Sequence, residues 1–253
     1  MDNNLTISLI IPCYNEEVNI QKGVLDKIGN YTSKNKSFRE VIIVDDGSKD
    51  NSRSLIKKKY LPAFPKFRII ENHHLGKAMA VITGIKNSKY DYVMFSDIDL
   101  ATPIEEAEKL IKEALNGSQI IIGSRNRERR GAPLLRKIMA VGFILIRNMI
   151  VGLKGIRDTQ CGFKMFDRKA ANKIVDRLVV SIKKDDITGS SVSAGFDLEF
   201  IFLAAKYGYK ISEIPVPWRH VETKNVSFFK DALETFKDII YIKYLDLTGA
   251  YKK

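Results

Sequence analysis

Two aspartates spaced two apart, Asp97 and Asp99, sit in the stretch SDIDLATP directly after the apolar run YDYVMF. Residues i and i+2 of a strand project to the same side. Both carboxylates can therefore converge on one hard cation, Mg²⁺ or Mn²⁺, which prefers oxygen ligands. A cation held by so few protein groups keeps open positions, and a diphosphate fills them. The same two residues can instead cap a helix opening at Pro103.

Other chemistry-bearing residues stand at comparable places. PCYNE closes the run before it, and DDGSKD closes the next, bringing Asp45 and Asp46 with a Gly-Ser turn. An Asp in such a loop can accept from the ring N–H of uracil or guanine, or can serve an ordinary turn. Gly76-Lys77 opens a helix after a third run, a favourable position for phosphate. It is not a P-loop: NHHLGKA lacks the first glycine and the Ser/Thr after the lysine. His73 and His74 read as loop residues within reach of a ligand. Three acidic or polar loops and a Gly-Lys helix start at one sheet edge point to a nucleotide-diphosphate and metal site.

The elements that must position these groups alternate. Strands are predicted at 6–11, 40–46, 67–72, 90–97 and 119–124, each an unbroken run rich in Ile, Val and aromatics, as suits a sheet buried on both faces. Helices are predicted near 16–29, 50–60, 76–87 and 103–116. This order implies an α/β fold with a doubly wound, mostly parallel sheet flanked by helices, and ligands beyond the carboxyl ends of the strands. After position 125 the pattern changes. The Arg-dense loop RNRERRG precedes a strongly apolar helix over 134–156, with cations at 136, 137, 147 and 154. That helix is either a core helix or one lying on lipid with snorkelling cations. DTQCGFKMF reads as a compact hairpin-like segment. Helices near 168–180 and 196–207, an edge strand at ISEIPVPW and a last helix over 227–246 follow. The expected organisation is a domain over 1–225 and a helical extension over 226–253, packed on that domain or on a membrane.

With 253 residues, 45% hydrophobic and 28% charged, the chain is an ordinary folded protein. Its 42 Lys and Arg against 30 Asp and Glu give +12, which favours an anionic partner: nucleic acid, a phosphorylated substrate or an acidic membrane surface. No aromatic stacking surface or RNA motif supports the first of these. Two cysteines, Cys13 and Cys161, imply no disulfide framework and fit a cytosolic setting. Three histidines leave little for a His-rich metal site. MDNNLTISLI does not read as a signal peptide, and no stretch reaches the length of a membrane span.

The set SLIIPCYNEEVNI, VIIVDDGSKDNS, DIDLATP and GSR resembles the family 2 glycosyltransferases, which have the GT-A nucleotide-sugar fold. GIRDTQCGFKMF, AGFDLEF and LTGAYKK resemble the branch containing the dolichyl-phosphate β-glucosyltransferases. The resemblance implies an inverting transfer of glucose from UDP-glucose to a polyprenyl phosphate, with Mg²⁺ or Mn²⁺ as cofactor. A sister branch uses GDP-mannose; it typically has Gln where this chain has Ala101, and SGF where this chain has Cys161-Gly-Phe. The alternatives are that mannosyl transfer, or a family 2 transferase acting on a polysaccharide. Binding of nucleic acid and sensing of nucleotide sugar without turnover are the readings from other classes. Eukaryotic members of the glucosyl branch carry an N-terminal anchor without counterpart here, so the expectation is a cytoplasmic protein peripherally attached to the cytoplasmic face of a membrane.

By the same resemblance Pro12, Tyr14 and Glu16 frame the nucleoside, Asp46 reads the base and Asp45 supports it. Gly76 and Lys77 meet the donor phosphates. Asp97 lies nearest ribose and metal, and Asp99 ligates metal on the diphosphate. Arg125, Arg219 and Lys224 hold phosphates of donor or acceptor. Asp158 is either an acid near the acceptor phosphate or a structural group fixing its loop. Asp197 is a site candidate at a helix start, with Glu199 on another face of that helix. Docking of the basic loop 125–137 and the apolar helix 138–153 on an anionic leaflet would bring the site to its lipid.

Overall fold

A computed structural model describes residues 5–125, 134–153, 155–179, 194–219 and 228–252. Seven strands form one sheet: β1 (Ile7–Cys13), β2 (Phe38–Asp45), β3 (Phe67–Glu71), β4 (Tyr92–Ser96), β5 (Ile120–Arg125), β6 (Phe163–Asp167) and β7 (Ile211–Val216). Their order is β3-β2-β1-β4-β6-β5-β7. All neighbours pair in parallel except β6, which runs antiparallel to both β4 and β5. The five expected strands of the first half are β1 to β5, and β7 is an edge strand as its prolines require. The segment expected to be hairpin-like is instead a strand inserted into the middle of the sheet.

The helices are α1 (Glu17–Gln21), α2 (Val24–Lys34), α3 (Ser52–Leu55), α4 (Leu61–Ala63), α5 (Lys77–Lys86), α6 (Ala107–Leu115), α7 (Leu134–Val151), α8 (Arg168–Val175), α9 (Ala194–Lys206) and α10 (Phe228–Leu247). The helix expected over 16–29 breaks between α1 and α2 at Lys22-Gly23, and a π turn over Ile56–Tyr60 joins α3 to α4.

The unbroken apolar runs follow from burial of both sheet faces. Along β1, Ile10 enters one hydrophobic layer with α5, α8, α9 and α10, while Leu9 and Ile11 enter the other with α2 and α6. The α5 helix lies so close to β1 that a Cβ on Gly84 would come within 2.5 Å of Ile10 Cγ2. That contact sets the distance of α5 from the sheet, and with it the place of Lys77 at the helix start. Among the described residues no helix is long and apolar enough to cross a membrane.

Candidate active site

The carboxyl ends of β1, β2 and β4 meet on one side of the sheet, and the loops following them differ in how they spend their polar groups. The loop after β1 is sewn to the loop after β2. Asn15 N donates to Ser48 Oγ (3.0 Å), Lys49 N to Asn15 Oδ1 (2.8 Å), Glu16 N to Ser52 Oγ (2.8 Å) and Glu17 N to Asp50 Oδ2 (3.0 Å). Asn15 adopts φ 54°, a left-handed conformation that Asn tolerates better than most residues. Pro12 is buried within β1, and Glu16 accepts from Asn19 Nδ2 at 2.6 Å. Burial foremost, with Asp45 adding to it, pushes the Cys13 thiol well above its ordinary range. It is not a nucleophile here.

Asp45 is fully buried, and its Oδ2 accepts from Arg53 Nε (2.8 Å) and Nη2 (2.6 Å). Asp46 is 2% exposed and accepts from Leu75 N (3.0 Å) and Gly76 N (2.7 Å), with His74 Nδ1 at 2.8 Å. The side chain expected to read a base is therefore occupied in clamping the loop that delivers Gly76 and Lys77. Tyr14 stacks on His74, with ring centroids 3.9 Å apart and planes at 9°, so an aromatic pair lies beside this clamp.

β4 ends at Ser96, one residue short of the first aspartate of the pair. Asp97 to Leu100 form a turn, closed by Leu100 N donating to Asp97 O (3.2 Å). The rationale that Asp97 and Asp99 share a strand face is thus corrected: the turn gathers them, and Ile98 between them is buried in the core. Leu100 has φ 51°, a conformation costing an L-residue with a Cβ about 1–2 kcal/mol. Such strain persists only where surroundings enforce it. Asp99 Oδ1 accepts from Ala101 N (3.0 Å), while Ala101 O accepts from Arg219 N (2.8 Å), which ties the segment past β7 to this turn. Ser96, Asp97, Ala101, Thr102, Gly162 and Trp218 line a small cleft there. The absence of a side chain at Gly162 leaves room for this carboxylate: a Cβ there would lie 2.0 Å from Asp97 Oδ2 and displace it.

Lysine 77 forms an ion pair with Asp97 Oδ1. Burial works against its charge, but Asp97 first, then Asp197, with Asp99 further down, hold its pKa above the ordinary lysine value. Asp197, in the first turn of α9, accepts from Lys164 Nζ at 2.7 Å. Lys164 is 1% exposed, lies 5.1 Å over the Phe95 ring and also donates to Cys161 O. Sequence reasoning missed this buried lysine, although a cation between Phe163 and Met165 in an apolar strand was its visible sign.

Asp158 is engaged by its own chain. It accepts from Arg125 Nε (2.7 Å), Nη2 (2.9 Å) and backbone N (3.1 Å), and from Gln160 N (3.1 Å). Burial raises its pKa, but the Arg125 hydrogen bonds and charge outweigh this and leave it below the usual carboxylate range. Arg125 spends its fork on Asp158 and lies 5.8 Å from the Trp218 ring, above the cleft. Glu213, also unforeseen, accepts from Arg157 N and Asp158 N, fixing the same loop. Glu199 accepts from Tyr251 Oη (2.6 Å) and Val179 N (2.7 Å), which anchors the C-terminal segment. Arg219 is exposed, and Lys224 lies outside the described residues.

No group of three or more His, Cys, Asp or Glu fit to hold a metal occurs among the described residues. Two carboxylates with hard oxygens, one of them facing the Lys77 ammonium, nonetheless fit a divalent cation whose remaining positions go to phosphate.

Comparison with known proteins agrees with this geometry. The family model for Glycosyl transferase family 2 matches residues 8–175. A dolichyl-phosphate beta-glucosyltransferase of Trichomonas vaginalis is 33% identical over 97% of this chain and 75% of its own length. Those of Homo sapiens and Saccharomyces cerevisiae are 32% and 31% identical, over 97% and 99% of this chain and 77% and 78% of their own. Among solved structures, mannosyl-3-phosphoglycerate synthase from Rubrobacter xylanophilus superposes with a TM-score of 0.69 at 16% identity, covering 98% of this chain and 76% of that one. Glucosyl-3-phosphoglycerate synthase from Mycobacterium tuberculosis, in complex with Mn²⁺, uridine diphosphate and glucosyl-3-phosphoglycerate, does so with 0.64 at 17%, covering 94% and 80%. The fold is GT-A, and the chain belongs to glycosyl transferase family 2.

Proposed function

We propose that this glycosyltransferase moves glucose from UDP-glucose to a polyprenyl phosphate of dolichyl type, inverting the anomeric carbon. The observation that carries the reading is the cluster of Asp97, Asp99 and Asp197 around Lys77 at the end of β4. It is set in a chain similar over nearly its whole length to dolichyl-phosphate beta-glucosyltransferases. Residues 1–225 form the catalytic unit in this reading, and 226–253 its extension.

The donor lies across the carboxyl ends of β1, β2 and β4. Its nucleoside rests in the frame of Pro12, Tyr14 and Glu16, against the aromatic pair. Asp45 and Asp46 act on it through the framework, Asp46 by holding the His74–Gly76 segment. Lys77, at the start of α5, is a cation at a helix N-terminus and binds the diphosphate. Asp97 and Asp99 would hold Mg²⁺ or Mn²⁺, which when bound neutralises charge developing on the departing diphosphate.

A lipid phosphate oxygen is already anionic near neutral pH, so its attack on the sugar needs little general-base help. The larger demand is to bring two anions together. Lys77 and Lys164 offset the donor side, while Arg125 and Arg219 serve the acceptor phosphate, a role the resemblance also gives Lys224. Trp218 lines the cleft beside Asp97 and offers an apolar wall to the sugar. Asp197, held by Lys164, orients the sugar from the α9 side. The reading puts the protein at the cytoplasmic face of a membrane, where a soluble donor meets a lipid acceptor.

The test is a donor and acceptor screen with Mg²⁺ or Mn²⁺, product followed by lipid extraction. Metal-dependent appearance of a glucosylated prenyl phosphate from UDP-glucose is expected. Turnover with GDP-mannose and none with UDP-glucose would overturn the sugar assignment.

A further inference from the structure

The helix α10 has two apolar faces. One is buried, through Ile239, Ile242 and Leu245, in the layer shared with α9. The other bears Leu233, Phe236, Ile240, Tyr244 and Leu247, spaced three or four residues apart and all exposed, Leu247 to 75%. At 3.6 residues per turn these five form a single stripe opposite the buried one. A monomeric protein rarely leaves such a row uncovered.

Charge is sorted around the stripe. Lys237 and Lys243 fall on its two edges by helical position, whereas Asp238 and Asp246 fall toward the packed side, where Asp246 pairs with Lys206 and, more loosely at 3.6 Å, with Lys243. Cations bordering an exposed apolar stripe, with acids turned away, suit an anionic lipid surface: the stripe enters the headgroup boundary and the lysines meet lipid phosphates.

The neighbouring helix α7 packs on α10 and repeats the arrangement. Leu145, Ile146 and Met149 are exposed on one side, Met149 to 77%. On the opposite side Arg147 is buried, donating to Ile156 O (2.6 Å) and Thr159 Oγ1 (3.2 Å). Arg147, which would snorkel only on the lipid-lying reading of this helix, thus points inward, to the loop carrying Asp158 and Gly162 beside the cleft.

We propose that the exposed faces of α10 and α7 are the docking surface of this protein for an anionic bilayer, with Arg147 linking that surface to the cleft loop. The proposal rests on the lipid-phosphate acceptor of the preceding reading and says where the membrane lies relative to the site.

The test is flotation of the whole chain with phosphatidylcholine–phosphatidylserine vesicles and with phosphatidylcholine alone, at low and high salt. Wild type should float with the anionic vesicles, less at high salt. Ile240→Ser with Leu247→Ser, both at exposed positions, should lower partitioning about tenfold or more at unchanged thermal stability. The same variant should keep wild-type transfer to a short-chain, water-soluble prenyl phosphate while losing transfer to a vesicle-embedded one. Wild type that does not float even at low salt overturns the docking surface, whatever it transfers. Flotation unaffected by the substitutions overturns it too, as does a dimer that they dissolve. Vesicle binding lost by the variant, in a protein transferring nothing to any prenyl phosphate, would uphold the surface and sink the acceptor reading.

Discussion

Aspartates stand at the end of β2 and in the turn just past β4, yet the two places use them in opposite ways. At β2, Asp45 is sealed in with its Oδ2 held by Arg53, and both oxygens of Asp46 are occupied by the loop before α5. At β4, Asp97 and Asp99 sit in a strained turn beside a lysine, a third aspartate and a cleft. The first pair is framework, the second an electrostatic site. A carboxylate surrounded by donors on its own framework has little left for a ligand. One facing a lysine ammonium across a cleft can exchange that partner for a cation.

If that contrast is right, substitutions at the two strand ends should separate activity from stability. Asp99→Ala should lower metal-dependent transfer about 10³-fold, with a melting curve close to wild type. Full turnover would remove Asp99 from the chemistry. Asp158→Ala, which strands the partly buried Arg125 guanidinium, should cost about 2–3 kcal/mol in denaturant unfolding.

The same pair has a pH signature. A carboxylate with depressed pKa contributes stability above its unfolded value, roughly pH 4, and that stability is lost as pH falls through the folded value. Wild type should therefore lose more stability than Asp158→Ala between neutral pH and about pH 3. Equal slopes would mean that Asp158 is not the titrating group. Asp46→Asn should cost about 1.5–2 kcal/mol through its charge-assisted bonds, with a larger effect on donor KM than on kcat. A smaller effect is expected of Leu100→Gly. It relieves about 1 kcal/mol of backbone strain, largely cancelled by lost packing and added chain entropy, so the melting temperature should hardly move while transfer falls.

Much of this organisation was legible in the order of residues, for physical reasons that also explain the gaps. Strands buried on both faces are unbroken apolar runs, and β1 to β5 announce themselves that way. β6 is only five residues with Lys164 as its second, and nothing local says that it runs antiparallel between β4 and β5. Asp97 and Asp99 stood out by spacing, but the turn that gathers them depends on Leu100 taking a left-handed conformation that leucine does not advertise. Lys164 and Asp197 are 33 residues apart in sequence, and only packing of α9 across β6 brings them together. Asp158 carried two readings because a loop acid looks the same whether it meets an arginine of its own chain or a ligand's phosphate.

Trp218 is the sole tryptophan of the chain, and it stands in the cleft wall with Arg125 beside it. All indole fluorescence therefore originates within a few ångströms of Asp97 and Gly162, so the protein carries its own optical probe of site occupancy. Donor, cation and acceptor can be titrated in separate cuvettes without a label, and a paramagnetic Mn²⁺ at the aspartates would report itself by quenching.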